Sequence, residues 1–247
     1  MLDVTLFRQR AFVGVSLATF CIAAGMFAMF PYLSIYLQDI LGYSPLAAGL
    51  RFLPLTGFVF FVPLLTRRFA ARVPLQVMIG AGLALVAGGL ALMEGLTAGS
   101  RWTALLAGFV VAGIGIGIAN PALAAAALRV VDPSRSGMAS GINNTFRLGG
   151  VAIGVAALGA VLESGVGSSL AGSGYTRGLA SAISSSGLRA VAGRPDLARP
   201  ATVAFASGLN DLLLIGCGLL LVGAVATVTL LRTPAPARVP VTEQAGG

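Results

Sequence analysis

The sequence predicts an all-α membrane protein with six transmembrane helices. Of its 247 residues, 57% are hydrophobic and only 10% are charged. The mean hydropathy is +0.93, and the apolar residues fall into six long runs. A soluble domain carries about 25% charged residues. With so few charges this chain cannot cover a water-facing surface, so most of its surface faces lipid. Disorder is excluded for the same reason, because disordered chains are polar.

A helix of about 20 apolar residues, rising ~1.5 Å per residue, crosses a hydrocarbon core of ~30 Å. The first run covers residues 11–37, with Pro31 as an expected kink. The second opens at Ser44-Pro45, a helix cap followed by proline at the first helical position, and ends at residue 65. The third covers 74–93 and the fourth 102–128. The fifth runs from Ser136, after the breaker Asp132-Pro133-Ser134, to residue 162, and the sixth covers 202–231. A cleaved signal peptide is rejected for the first run. It is longer than the roughly 7–15 apolar residues of such a segment, and more spans follow it.

The chain therefore divides into a cytoplasmic N-terminal segment (1–10), five spans within 11–163, an extracytoplasmic loop (164–201), a sixth span within 202–232 and a disordered cytoplasmic tail (233–247). Orientation follows from arginine placement. Arg8, Arg10, Arg67, Arg68, Arg72, Arg129, Arg135, Arg232 and Arg238 fall on one side of alternating helices. Between spans the other side has Arg101, together with Arg177, Arg189, Arg194 and Arg199 in the loop after span five. Both termini are thus expected in the cytoplasm. The Gly-, Ser- and Ala-rich loop has two readings: a short amphipathic helix over 179–191, or, the preferred one, a mobile loop.

A net charge of +8 and a pI near 11.0 raise the question of nucleic acid. The arginines are scattered among apolar runs, with no basic stripe interleaved with aromatics, so that reading fails. The chain has no lysine and no histidine, which removes a His-based metal site or general base. Cys21 and Cys217 each lie inside an apolar run and read as small buried residues.

Ionisable groups within a span are costly and mark candidate sites. Arg147 lies about 16 Å beyond the cytoplasmic start of span five. Ser136, Ser140, Asn143 and Asn144 precede it at three- and four-residue spacings on one face. Such a stripe lines a cavity, or else ties span five to a neighbouring helix. Asp211, about 13 Å into span six from the outer side, lies at a similar estimated depth. It is expected either to pair with Arg147 or to stand as a protonatable carboxyl. Arg51 is close enough to the outer end of span two to serve as an interfacial anchor. Gly113, Gly115 and Gly117, the pair Gly137 and Gly141, and the pair Gly150 and Gly154 suit close helix approach. Asn120-Pro121 marks an expected bend in span four, since proline frees a carbonyl there.

The segment Gly113-Ile-Gly-Ile-Gly-Ile-Ala-Asn-Pro121, followed by Asp132-Pro-Ser-Arg-Ser-Gly-Met-Ala-Ser-Gly-Ile-Asn-Asn-Thr-Phe-Arg-Leu-Gly-Gly150, resembles the late spans of drug:proton antiporters of the major facilitator superfamily. The fourteen-helix multidrug-efflux branch fits best. Leu6-Phe7-Arg8-Gln9-Arg10-Ala11-Phe12 and Tyr43-Ser-Pro-Leu-Ala-Ala-Gly-Leu-Arg-Phe-Leu-Pro54 are similar to the same branch. The matching motifs belong to the C-terminal half of that family. The N-terminal half's Gly-x-x-x-Asp-Arg-x-Gly-Arg loop has no counterpart in Thr66-Arg67-Arg68-Phe69-Ala70-Ala71-Arg72, and its Gly-Pro antiporter motif is likewise missing. Leu148 stands where the family usually shows glutamine.

The resemblance implies one major-facilitator-type bundle, the C-terminal half of a proton-coupled secondary efflux transporter for small lipophilic or drug-like molecules. It implies a bacterial cytoplasmic membrane, the proton gradient as energy source and no cofactor. The expected partners are the lipid bilayer, a small lipophilic substrate and an N-terminal-half polypeptide, without which the bundle would not transport. Nucleic acid is not among them. The cavity wall is expected from spans one, two, four and five, with Phe27, Met29, Phe30, Tyr32 and Tyr36 suited either to bulky substrates or to plain packing. The candidate cavity or coupling residues are Arg147, Asn143, Asn144, Ser140, Asp211, Asn120 and Pro121, with Arg51 secondary. A non-transporting membrane subunit is the competing reading. An enzyme is disfavoured by the lack of a nucleophile–base pair or metal cluster.

Overall fold

A computed structural model describes residues 8–70, 72–129, 136–170, 177–191 and 193–231. The breaker at Asp132-Pro133-Ser134, Arg135, part of the outer loop and the C-terminal tail lie outside the described residues. Nine α-helices are present among those described. They are α1 (Arg10–Gly25), α2 (Phe30–Ile35), α3 (Pro45–Arg51), α4 (Leu53–Ala70) and α5 (Leu75–Leu92), then α6 (Leu106–Arg129), α7 (Ser136–Leu170), α8 (Arg177–Ser186) and α9 (Pro195–Leu230). Six stretches are long and apolar enough to cross a membrane: Arg10–Ile40, Pro45–Arg68, Leu75–Leu92, Trp102–Arg129, Ser136–Leu170 and Leu197–Leu230. The protein is an all-α membrane protein, as the sequence predicts.

Proline shapes the first two spans. Span one breaks after α1 into a 3₁₀ turn over Phe27–Met29, and α2 resumes with Pro31 in its first turn. Pro31 has no N–H to donate to the Phe27 carbonyl, so the helix tightens there. The span ends in a π turn over Tyr36–Ile40 that the apolar pattern does not reveal. Ser44 caps α3, its hydroxyl accepting from the Ala47 N–H at 3.3 Å. Pro54 near the start of α4 lies just past the junction with α3.

Spans five and six are longer than the sequence suggests. Residues 164–170 read as loop because of their Gly and Ser content. Leu162, Val166 and Leu170 nevertheless recur every four residues and are all buried, which carries α7 on by two turns. Likewise α9 begins at Pro195, a proline in a first helical turn, rather than at residue 202. Between them Ala180, Ile183, Gly187 and Val191 form a buried stripe at three- and four-residue spacing. The segment is therefore helix α8 followed by a 3₁₀ turn. The mobile-loop reading gives way to the helical one. Arg189 Nε donates to Asp39 Oδ1 at 2.7 Å, tying this segment to the outer end of span one.

The packing order places α6 between α4 and α5, α5 against α9, and α9 against both α1 and α7, with α1 and α7 lying side by side. Glycines set the closest of these approaches. A Cβ on Gly115 would lie 2.6 Å from the Gly82 carbonyl of α5. One on Gly113 would lie 2.6 Å from the Leu55 carbonyl of α4, and one on Gly117 2.8 Å from Val62. Gly150 and Gly154 meet Phe20, Ala23 and Ala24 of α1 in the same way. Gly137 and Gly141 do not pack: a Cβ at either meets nothing within 4 Å. The close-packing expectation fails for that pair because it lies on the open face of α7.

Span one is the most enclosed of the six, and the spans built on α4 and α7 are the least. Leu46, Leu50, Leu53, Phe60, Phe61 and Leu65 give the α3–α4 face a broad apolar exposure suited to the bilayer.

Candidate functional site

The inner half of α7 carries the polar stripe that the sequence singles out. Helical geometry puts Ser140, Asn144 and Arg147 on one side of it at four- and three-residue intervals. Asn143 flanks them on the buried side, next to Ile142, which clusters with Phe12 of α1. Ser140, Asn144 and Arg147 are exposed, whereas Asn143 is only 9% exposed. Facing them across a cavity of about 420 Å³ are Ala124, Ala127 and Leu128 of α6. Ser140, Gly141, Asn143, Asn144 and Arg147 form the other wall.

The two walls differ chemically. The α6 side offers only small apolar surface, and the α7 side offers a hydroxyl, two amides and a guanidinium. Among the described residues no carboxylate lines the cavity and Arg147 has no ion-pair partner. An unneutralised guanidinium this far along a membrane helix is costly against lipid. It is compatible with a water-filled cavity or the surface of another polypeptide.

Asp211 is not part of this site. Its Oδ2 lies 3.6 Å from the position a Cβ would take on Gly165. Gly165 is eighteen residues beyond Arg147 on the same helix, which is ~27 Å along the axis. The expected Arg147–Asp211 pair does not form. The depth estimate counted α9 from residue 202 and ended span five at 162, and both helices extend past those points.

Asn120 and Pro121 lie one turn before Ala124 on α6 but do not line the cavity. Span four shows no break there; α6 is continuous from Leu106 to Arg129. Met29, Tyr32 and Tyr36 are buried in the core, so the packing reading of span one's aromatic and sulfur residues holds for them. The described lining of this cavity comes from spans four and five.

Arg51 sits in an aromatic setting. Its guanidinium carbon lies 3.4 Å from the centroid of the Tyr43 ring and 5.3 Å from that of Trp102. Its Nη1 donates to the Ala47 carbonyl at 2.7 Å. Cation–π attraction and a helix carbonyl thus hold it in place.

Two polar contacts escaped the sequence reading. Asn210 clamps the backbone of Leu96, accepting from its N–H at 3.0 Å and donating to its carbonyl at 2.9 Å. Tyr32 donates to the Val155 carbonyl at 2.6 Å, joining span one to span five. The doublet Asn210-Asp211 in a leucine-rich run was the available signal for the clamp, and the charge drew attention away from the amide.

The family model for the Major Facilitator Superfamily matches residues 4–155. The chain is similar to the multidrug resistance protein Stp of Mycobacterium tuberculosis, with 33% identity over 166 residues, covering 66% of this chain and 30% of Stp. It is similar to the methylenomycin A resistance protein of Streptomyces coelicolor, with 31% identity over 159 residues, covering 64% of this chain and 34% of that protein. It is also similar to the multidrug efflux pump LfrA of Mycolicibacterium smegmatis, with 30% identity over 164 residues, covering 66% and 32% respectively. The chain thus matches about a third of the length of each of these relatives.

Proposed function

Because the chain belongs to the major facilitator superfamily, we propose that it forms one six-helix bundle of a proton-coupled exporter of small lipophilic or drug-like molecules. The observation that carries this reading is the cavity between α6 and α7, apolar on one wall and polar on the other, opening on a face of α7 that no described residue covers. The named relatives, two multidrug proteins and an antibiotic resistance protein, favour drug-like cargo.

In this reading the α6 wall receives the apolar body of the cargo, and Asn144 and Arg147 meet its polar part. The stripe on α7 calls for a second bundle opposite it. Alternating access requires two bundles rocking about a shared site, and this one supplies a single wall. The bundle is therefore transport-inactive alone, and an N-terminal bundle completes it. Arginine bias favours cytoplasmic termini, and the bacterial relatives favour an inner membrane for the spans.

The test is reconstitution. Proteoliposomes containing only this chain should show no dye efflux under an imposed pH gradient. Co-reconstitution with an N-terminal six-helix bundle should establish efflux that Arg147→Ala abolishes. Gradient-driven efflux by the chain alone would refute the half-transporter reading.

A further inference from the structure

Beside the cavity, α1 and α7 each hold a buried polar atom without a hydrogen-bond partner among the described residues. Ser16 is 2% exposed and Asn143 9% exposed. Neither the Ser16 Oγ nor the Asn143 Oδ1 has a hydrogen-bond partner among the described residues. Buried polar atoms are almost always paired, because leaving one unmade forfeits its hydration with no return.

Ser16 also departs from the habit of this chain. Hydroxyls in its helices donate back to the carbonyl four residues earlier: Thr19 to Val15, Thr145 to Gly141 and Thr227 to Gly223. Ser16 makes no such bond, so its proton is not engaged by its own helix.

The two orphans lie at one level. Phe12 of α1 clusters with Ala139 and Ile142 of α7. Further along, Gly150 meets Phe20 and Ala23, and Gly154 meets Ala24 and Ala28. The helices run parallel in a constant register, and Ser16 and Asn143 are each one turn beyond the Phe12–Ala139 contact. Asn143 in addition lines the cavity. It is the shared wall between cavity and interface.

We propose that Ser16 and Asn143 form a buried hydrogen-bonding niche opening from the cavity, which takes an uncharged hydroxyl-type group. Such a group donates to the Asn143 Oδ1 and accepts from the Ser16 hydroxyl, matching both orphans at once. An ammonium cation is disfavoured, because it cannot accept the serine proton and Arg147 lies one turn away. Water and a hydroxyl of the transported molecule share this chemistry. The second source rests on the export reading above.

The test uses the full chain in lipid nanodiscs, with Cys21 and Cys217 replaced by alanine. Ser16→Cys should react with the uncharged reagent 2-hydroxyethyl methanethiosulfonate at least tenfold faster than Ala18→Cys, a core position on the same helix. Equal rates would overturn the niche. Slowing of the reaction by 1-octanol but not by octyl fluoride assigns the group to a ligand hydroxyl. Slowing by neither assigns it to water, and equal slowing by both shows an apolar pocket and overturns the proposal. A second measurement covers the case in which the cysteine variants misfold. Ser16→Ala, Asn143→Leu and the double variant are melted side by side. A shared occupant predicts that the double shift is close to the larger single shift, whereas strict additivity counts against it. Neither readout needs a gradient or a second bundle, so loss of transport leaves the niche test intact.

Discussion

Gly115→Ala probes the tightest seam in the bundle. The added methyl would lie 2.6 Å from the Gly82 carbonyl oxygen, 2.7 Å from the Val86 nitrogen and 2.8 Å from a Val86 methyl. Ordinary contact begins at 3.4 Å, so α5 and α6 must part by about 0.8 Å, and a gap of that size forfeits roughly a quarter to a half of each lost dispersion contact. Two of the three obstructions are backbone atoms, which cannot swing aside. Overpacking of this kind costs about 1–3 kcal/mol, and the upper half of that range is expected. Gly141→Ala is the matched control, since a methyl there meets nothing within 4 Å. It should be neutral, or stabilising by up to about 1 kcal/mol through helix propensity. Both variants would be measured by reversible unfolding in mixed detergent micelles. A Gly115→Ala chain as stable as the parent, or a Gly141→Ala chain equally destabilised, would refute the packing argument.

Further outcomes can be checked in the same preparation. Asn210→Ala leaves the N–H and carbonyl of Leu96, a residue 3% exposed, without partners. It should cost about 1–3 kcal/mol, and hydrogen exchange should show lost protection at Leu96. Arg51→Lys keeps the charge but loses the flat guanidinium over Tyr43. A loss of about 0.5–2 kcal/mol is expected, read as lower stability with little further loss when Tyr43→Leu is added. On the proposed export reading, Arg147→Ala should abolish dye efflux after co-reconstitution while leaving the unfolding transition of the isolated chain nearly unchanged, because Arg147 is exposed and has no ion-pair partner among the described residues.

The six spans were legible because length and hydropathy alone set them. The Ser44 cap was legible too, from a serine–proline doublet with one physical meaning. What misled was composition at the outer ends of spans five and six. Glycine and serine there signal a loop locally, yet the buried stripe of Leu162, Val166 and Leu170 overrides that preference through packing. The same error propagated to Asp211, whose partner was inferred from depths counted off misplaced ends. The polar stripe ending at Arg147 survived because spacing on a helix face depends on no boundary. Which glycines pack could not be read from spacing: Gly137 and Gly141 share the four-residue interval of Gly150 and Gly154, and only the neighbouring helix distinguishes the pairs.

The alternating glycines of α6 have a mechanical consequence. Gly113 and Gly117 bring its backbone against α4, and Gly115 brings it against α5. Backbone in contact with backbone on both flanks leaves no slack for sliding, so α4, α5 and α6 behave as one stiff plate. α7 touches that plate only sparsely and is bound instead to α1 and α9. Gly150 and Gly154 fix α7 to α1 in the same manner, so the cavity lies between two glycine-held units. Among the described lining residues every polar side chain is on α7, so a shift of the α1–α7 unit against the plate moves all of them together.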